Sequence, residues 1–191
     1  MDYAKRITEY RTMLINTVLK MDVDAINQLL NLLVETQDRD KQIFIMGNGG
    51  SGATASHFAG DFNKGLSLGK PIDKRYRVIS LVDNSPTVLS LANDVSYDDV
   101  FVEQLQNFMR DGDIVIGISG SGNSENVLRA VRYAKECGNT VVGLTGYSGG
   151  ALKALSDVNV HVPLDNMQIT EDLHMVLTHL LFWVLDQSEQ A

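Results

Sequence analysis

The sequence predicts a three-layer α/β fold, a parallel sheet covered by helices on both faces. Five short apolar runs, at 42–46, 76–81, 114–118, 140–144 and 159–162, alternate with longer segments of helical period. These runs are nearly continuous in apolar character, as strands buried on both faces require. The 191 residues, 44% of them apolar, suffice for one core, and neither a Pro/Gly/Ser linker nor a repeat divides them. One domain spanning 1–191 is expected, with a leading helical segment at 1–38 and the α/β core and last helix at 39–191.

In the leading segment Ile7, Tyr10, Leu14 and Val18, then Ile26, Leu29, Leu30 and Leu33, recur at helical spacing with no glycine or proline, giving one or two helices. The first run ends in the turn Gly47-Asn48-Gly49-Gly50-Ser51-Gly52, and the third ends in Ser119-Gly120-Ser121-Gly122-Asn123-Ser124. Helical candidates fill the intervals at 52–66, 87–93, 98–109, 124–136 and 151–156, and a last one covers 167–187. Because ligands of open α/β sheets gather beyond the carboxyl ends of strands, the turns after the first and third strands are where chemistry is expected.

Composition narrows the function. With 24 acidic against 16 basic residues, a net charge of −8, the chain offers no broad surface for nucleic acid. A small anion can still bind where helix-terminal amides converge. The lone Cys137 forms no intrachain disulfide, in keeping with a reducing compartment. The first residues lack the features of a secretory signal, and the apolar stretch 173–185 is too short to span a bilayer. A cytoplasmic protein with no membrane contact is expected.

The serine turn leaves a buried strand through Gly117, Gly120 and Gly122, which free the backbone to turn its amides inward, while Ser119, Ser121 and Ser124 add small donors. It reads as a cradle for a phosphate monoester, since no P-loop lysine follows. The plainer alternative is a helix capped by Asn123 or Ser124. The first turn matches the dinucleotide fingerprint G-x-G-x-x-G, but the acid that ends the second strand, Asp83, lies 31 residues beyond Gly52 rather than about 20. His57 and Asp61, four apart on one helical face, can hold a divalent metal, act as base and acid, or form a plain surface pair. In the last helix His174 and His179 point roughly 140° apart, so one of them is structural. Glu171 and His179 differ by only about 80° but lie about 12 Å apart along the axis. Either that helix begins after Glu171, or the two residues reach one site from different copies of the chain.

Taken together, Gly47-Asn48-Gly49-Gly50-Ser51, Ala55-Ser56-His57-Phe58-Ala59, Ala92-Asn93-Asp94, Gly117 to Ser124, Leu144-Thr145-Gly146 and the span His174 to His179 resemble the sugar isomerase (SIS) domain family over nearly the whole chain. The closest resemblance is to the branch that isomerises phosphorylated heptoses. It implies a flavodoxin-like sandwich around five parallel strands, and a homotetramer with first and last helices at its centre and active sites between subunits. It implies aldose–ketose isomerisation of a sugar phosphate, sedoheptulose 7-phosphate to glycero-manno-heptose 7-phosphate, through an enediol. Phosphate would lie on Ser119, Gly120, Ser121 and Ser124, and the sugar against Asn48, Gly49, Gly50, Ser51, Asn93 and Asp94, with Asp61 and Glu171 also touching substrate. Zinc, or another divalent ion, would be held by His57, Asp61, Glu171 and His179, with Asp61 and His179 catalytic. Three positions depart from the family pattern: Asp61 stands for a glutamate, Glu171 for a glutamine and Gly120 for a threonine. The same fold also serves non-catalytic binding modules, but retention of His57, Asp61, Glu171 and His179 favours an enzyme, of this or a related sugar phosphate.

Overall fold

A computed structural model describes residues 1–189. Five parallel strands, β1 (Ile43–Gly47), β2 (Val78–Ser80), β3 (Ile114–Ser119), β4 (Thr140–Thr145) and β5 (Val158–His161), form one sheet in the order β2-β1-β3-β4-β5. Central β1 and β3 are buried at every residue and pair in register from Ile43↔Ile114 to Gly47↔Ile118. Each strand therefore sends alternate side chains into two cores. Ile43 and Ile45 join Leu29, Leu33, Phe58, Phe62, Leu173 and Leu177 on one face, while Phe44 and Met46 join Leu105, Val127, Val131 and Leu152 on the other.

The leading segment is two helices, α1 (Ala4–Val18) and α2 (Val23–Asp38). The break falls where Asp22 accepts from the amides of Asp24 and Ala25 and so caps the second helix. With α3 (Gly49–Gly60) and α8 (Met167–Glu189), α2 covers the first face; α5 (Val102–Phe108), α6 (Glu125–Glu136) and α7 (Gly150–Leu155) cover the second. Helix α1 lies outside them. It contributes Tyr10, Leu14 and Val18 to the first core, and the Tyr10 hydroxyl donates to Asp172 of α8.

Three elements differ from the sequence expectation. The second strand is shorter than 76–81 because Tyr76 turns away to pack edge-on against Phe62, its amide held by the Ser67 hydroxyl at 2.9 Å. The helix expected at 52–66 begins earlier, at Gly49, and from Asp61 to Gly65 winds wider as a π turn, with Leu66 N–H donating to Asp61 C=O at 3.1 Å. Gly65 makes room there for the Phe182 ring, which a Cβ would meet at 2.3 Å. The helix expected at 98–109 is divided into a 3-10 turn, Tyr97–Asp99, and α5. Asp98 and Asp99 are drawn out of helical register by Arg129 of α6, whose guanidinium lies 3.4 and 2.7 Å from them. Helix α4 (Ser85–Asp94) precedes that turn. No helix among the described residues is long and apolar enough to cross a membrane.

Candidate active site

The strand order reverses between β1 and β3: the chain leaves β1 toward one edge of the sheet and β3 toward the other. Their carboxyl-end turns diverge and leave a crevice, the place where open α/β sheets bind ligands. Both predicted turns face it. In the serine turn the Ser119 hydroxyl lies 3.0 Å from that of Ser124 and 3.5 Å from that of Ser121. The turn is fixed from behind: Gly146 N–H donates to Gly120 C=O and Leu152 N–H to Gly122 C=O, each at 2.9 Å. Gly122 has φ of +67°, and a Cβ there would stand 1.9 Å from the Gly149 carbonyl oxygen, so only glycine fits.

The helix-capping alternative does not hold. Asn123 spends its side chain on the Ser121 carbonyl and the Ala151 amide, and Ser124, at the N-cap of α6, makes no side-chain cap. The hydroxyls instead line a cavity of about 160 Å³ with Asn48, Ser51, Gly120, Met167 and Glu171. Among the described residues no lysine or arginine lines it.

The other cluster forms where α3 packs on α8. His57 Nε2 lies 2.9 Å from His179 Nε2 and 3.1 Å from Asp61 Oδ2, and His179 Nε2 lies 4.0 Å from the same oxygen. The three donor atoms sit within 4.8 Å of one another, at a half-open surface. Two ring nitrogens facing each other this closely must share a proton or a cation, since two bare lone pairs repel. Two imidazoles and a carboxylate are a donor set that suits zinc and other divalent ions.

Helix α8 starts at Met167, ahead of Glu171, which removes the possibility that the helix begins after that residue. Glu171 and His179 therefore serve different parts of the crevice within one chain. The Glu171 carboxylate sits 2.5 Å from where a Cβ on Gly50 would be, in the serine cavity and over the first turn of α3. That helix has no acidic residue in its first turn and no side-chain cap, so the carboxylate faces its positive end. His174 is the structural histidine. It is fully buried, with Nε2 at 3.3 Å from the Thr145 carbonyl, and burial pushes its pKa down to about 4.

Asn93 and Asp94 end α4 at the surface, where the Asn93 amide donates to Asp94 at 2.7 Å, and they do not line the serine cavity. Gly49 and Gly50 open α3, the first with φ of +53°. The acid weighed for a dinucleotide, Asp83, accepts from the Ser56 hydroxyl. Sequence reasoning missed Asn126 and Tyr97, which bond to Asn48 across 78 and 49 positions. Only the polar character of Asn126 inside an apolar helical stripe hinted at it.

A model of the SIS domain matches residues 3–146. The phosphoheptose isomerase of Helicobacter pylori strain P12 is 36% identical over 167 residues, which cover 85% of each chain. The probable phosphoheptose isomerase of Thermoplasma acidophilum is 31% identical over 88% of this chain and 91% of its own. Among solved structures, the phosphoheptose isomerase GmhA from Neisseria gonorrhoeae superposes with a TM-score of 0.87 at 30% identity, over 97% of this chain and all of that one.

Proposed function

The chain belongs to the SIS domain family and to its phosphoheptose isomerases, and from that membership we propose that it converts D-sedoheptulose 7-phosphate to D-glycero-D-manno-heptose 7-phosphate through an enediol. One observation carries the reading beyond membership: the serine cavity and the His57–Asp61–His179 cluster lie along one helix, near Glu171 and His179 respectively. Eight residues of helix separate those two by about 12 Å. A seven-carbon chain with a terminal phosphate has the reach to place its phosphate in the first and its reacting carbons at the second.

Ser119, Ser121 and Ser124 donate to the phosphate oxygens, with the start of α6 behind them. Asn48, Gly49, Gly50, Ser51, Asn93 and Asp94 receive the sugar. Asp61 takes the proton from C1 of the ketose while His179 gives one to O2, so the carbonyl becomes a hydroxyl and the enediol forms. His179 then takes the O1 proton and Asp61 returns its proton to C2, leaving the aldose. His57, 3.1 Å from the Asp61 carboxylate, holds it in place. Zinc held by His57, Asp61 and His179, with Glu171 as a further donor, would polarise the carbonyl and hydroxyl oxygens as a Lewis acid. Glu171 faces the serine cavity of its own chain, so its part in that donor set belongs to an assembly with sites between subunits. We place α1 and α8 at the centre of such a homotetramer, acting in the cytoplasm.

The test is incubation with sedoheptulose 7-phosphate in deuterated water, with and without zinc. Aldose carrying deuterium at C2 is expected, and Asp61→Asn should lower kcat about 100-fold or more. Neither exchange nor aldose under both conditions would overturn the reading.

A further inference from the structure

Asn48 stands between two cavities, the serine cavity and a second of about 260 Å³ roofed by Tyr97, Val82 and Val88. Its amide is held by three hydrogen bonds. Oδ1 accepts from the Asn126 amide at 2.9 Å and from the Tyr97 hydroxyl at 2.8 Å, and Nδ2 donates to Asn126 Oδ1 at 2.9 Å. A reciprocal amide pair alone has no preferred sense, because turning both groups over restores both bonds. The sense is set by the Val127 backbone N–H, in the first turn of α6, which donates to Asn126 Oδ1 at 2.9 Å. Only an oxygen can receive that bond, so Asn126 must offer its nitrogen to Asn48 Oδ1. Asn126 is 2% exposed, so water does not offer a substitute partner. Tyr97 adds a donor to the same oxygen, and its 3-10 turn is tied to α6 by the Arg129 pairs with Asp98 and Asp99.

Both lone-pair directions of Asn48 Oδ1 are thereby filled, and one Nδ2 proton is unassigned. We infer that Asn126 and Tyr97 are positioning residues that lock Asn48 as a hydrogen-bond donor toward a substrate oxygen. The inference deepens the isomerase reading and rests on it. It makes the turn after β1 obey α6, the helix that carries the phosphate, so that sugar and phosphate contacts are set as one unit.

The experiment is a double-mutant cycle read in steady-state turnover of sedoheptulose 7-phosphate, with calorimetric titration of inorganic phosphate alongside. Asn126→Asp puts an oxygen opposite Asn48 Oδ1 whichever way the Asn48 amide lies, so the amide loses its fixed sense; KM should rise about tenfold, with kcat within threefold of wild type. Tyr97→Phe removes one donor and should raise KM about threefold. In an Asn48→Ala background each effect should fall below twofold, because the group being oriented is gone. Phosphate affinity should hold throughout. Tyr97 lies at the surface, so its variant carries the test by itself where Asn126→Asp does not fold. The inference is overturned by unchanged KM, by effects that persist without Asn48, or by phosphate affinity falling in step with KM. Wild-type protein inert toward the ketose sinks the functional reading as well, whereas active wild type with unaffected variants sinks only the positioning role.

Discussion

His174 shows how a residue near the proposed reaction centre can be excluded from it. It lies five residues before His179, on the opposite side of α8, with its ring in the core against the Thr145 carbonyl. Burial lowers its pKa from 6.5 to about 4, opposed by that carbonyl and assisted by His161. In the unfolded chain the ring takes its proton near pH 6.5, while the folded ring stays neutral until about pH 4. Between these values the unfolded state binds more protons, so this residue's contribution is whole above pH 6.5 and is lost as pH falls toward 4. The difference amounts to about 3 kcal/mol. Urea unfolding at pH 7 and pH 4 should therefore show wild type losing about 3 kcal/mol relative to His174→Leu. Parallel losses in the two proteins would contradict the assignment.

At the scale of elements, the site depends on a backbone crossing. The serine turn passes under the loop between β4 and α7 closely enough that a Cβ on Gly122 would meet the Gly149 carbonyl. Gly122 and Gly138 share the left-handed conformation, with φ of +67° and +79°, but a Cβ on Gly138 would meet nothing within 4 Å. Gly138→Ala should thus cost only the conformational term, about 1–2 kcal/mol. Gly122→Ala adds a backbone clash and should cost about 3 kcal/mol or more in urea unfolding, with weakened phosphate binding in the protein that still folds. Equal costs would show that the loops part easily. The π turn after α3 has a comparable role: it begins at Asp61 and admits Phe182 against Gly65, so the packing of α8 and the place of the carboxylate are set together.

The whole molecule leaves apolar surface uncovered on the helices that flank the site. Tyr3, Ile7, Met13, Ile15 and Leu19 are exposed on and beside α1, and Val176 and Trp183 on α8, the helix that carries Glu171 and His179. In the proposed assembly these side chains would lie between subunits, with Trp183, a large amphipathic residue, as an anchor. On the proposed assembly, sedimentation should give a tetramer, and the pair Ile15→Glu with Trp183→Glu should yield smaller species with reduced turnover. A wild-type monomer with full turnover would remove both the tetramer and the shared donor set.

Much of this architecture is local in origin, and the sequence alone determined it. Runs such as Ile114 to Ile118 are apolar at every position but Gly117, as strands buried on both faces require, and the glycines and serines that follow form a turn whose backbone can come close to an anion. The angle between His174 and His179 was equally legible, because helix geometry sets it. Which of the two faces the site was not, since that depends on the side of α8 that docks on the sheet. The same holds for Glu171, which a straight helix separates from His179 and which the packing of α8 on α3 delivers to Gly50. The bonds of Asn48 to Asn126 and Tyr97 join residues 78 and 49 positions apart. No periodicity or spacing encodes them; the strand order, which brings the ends of β1 and β3 side by side, decided them.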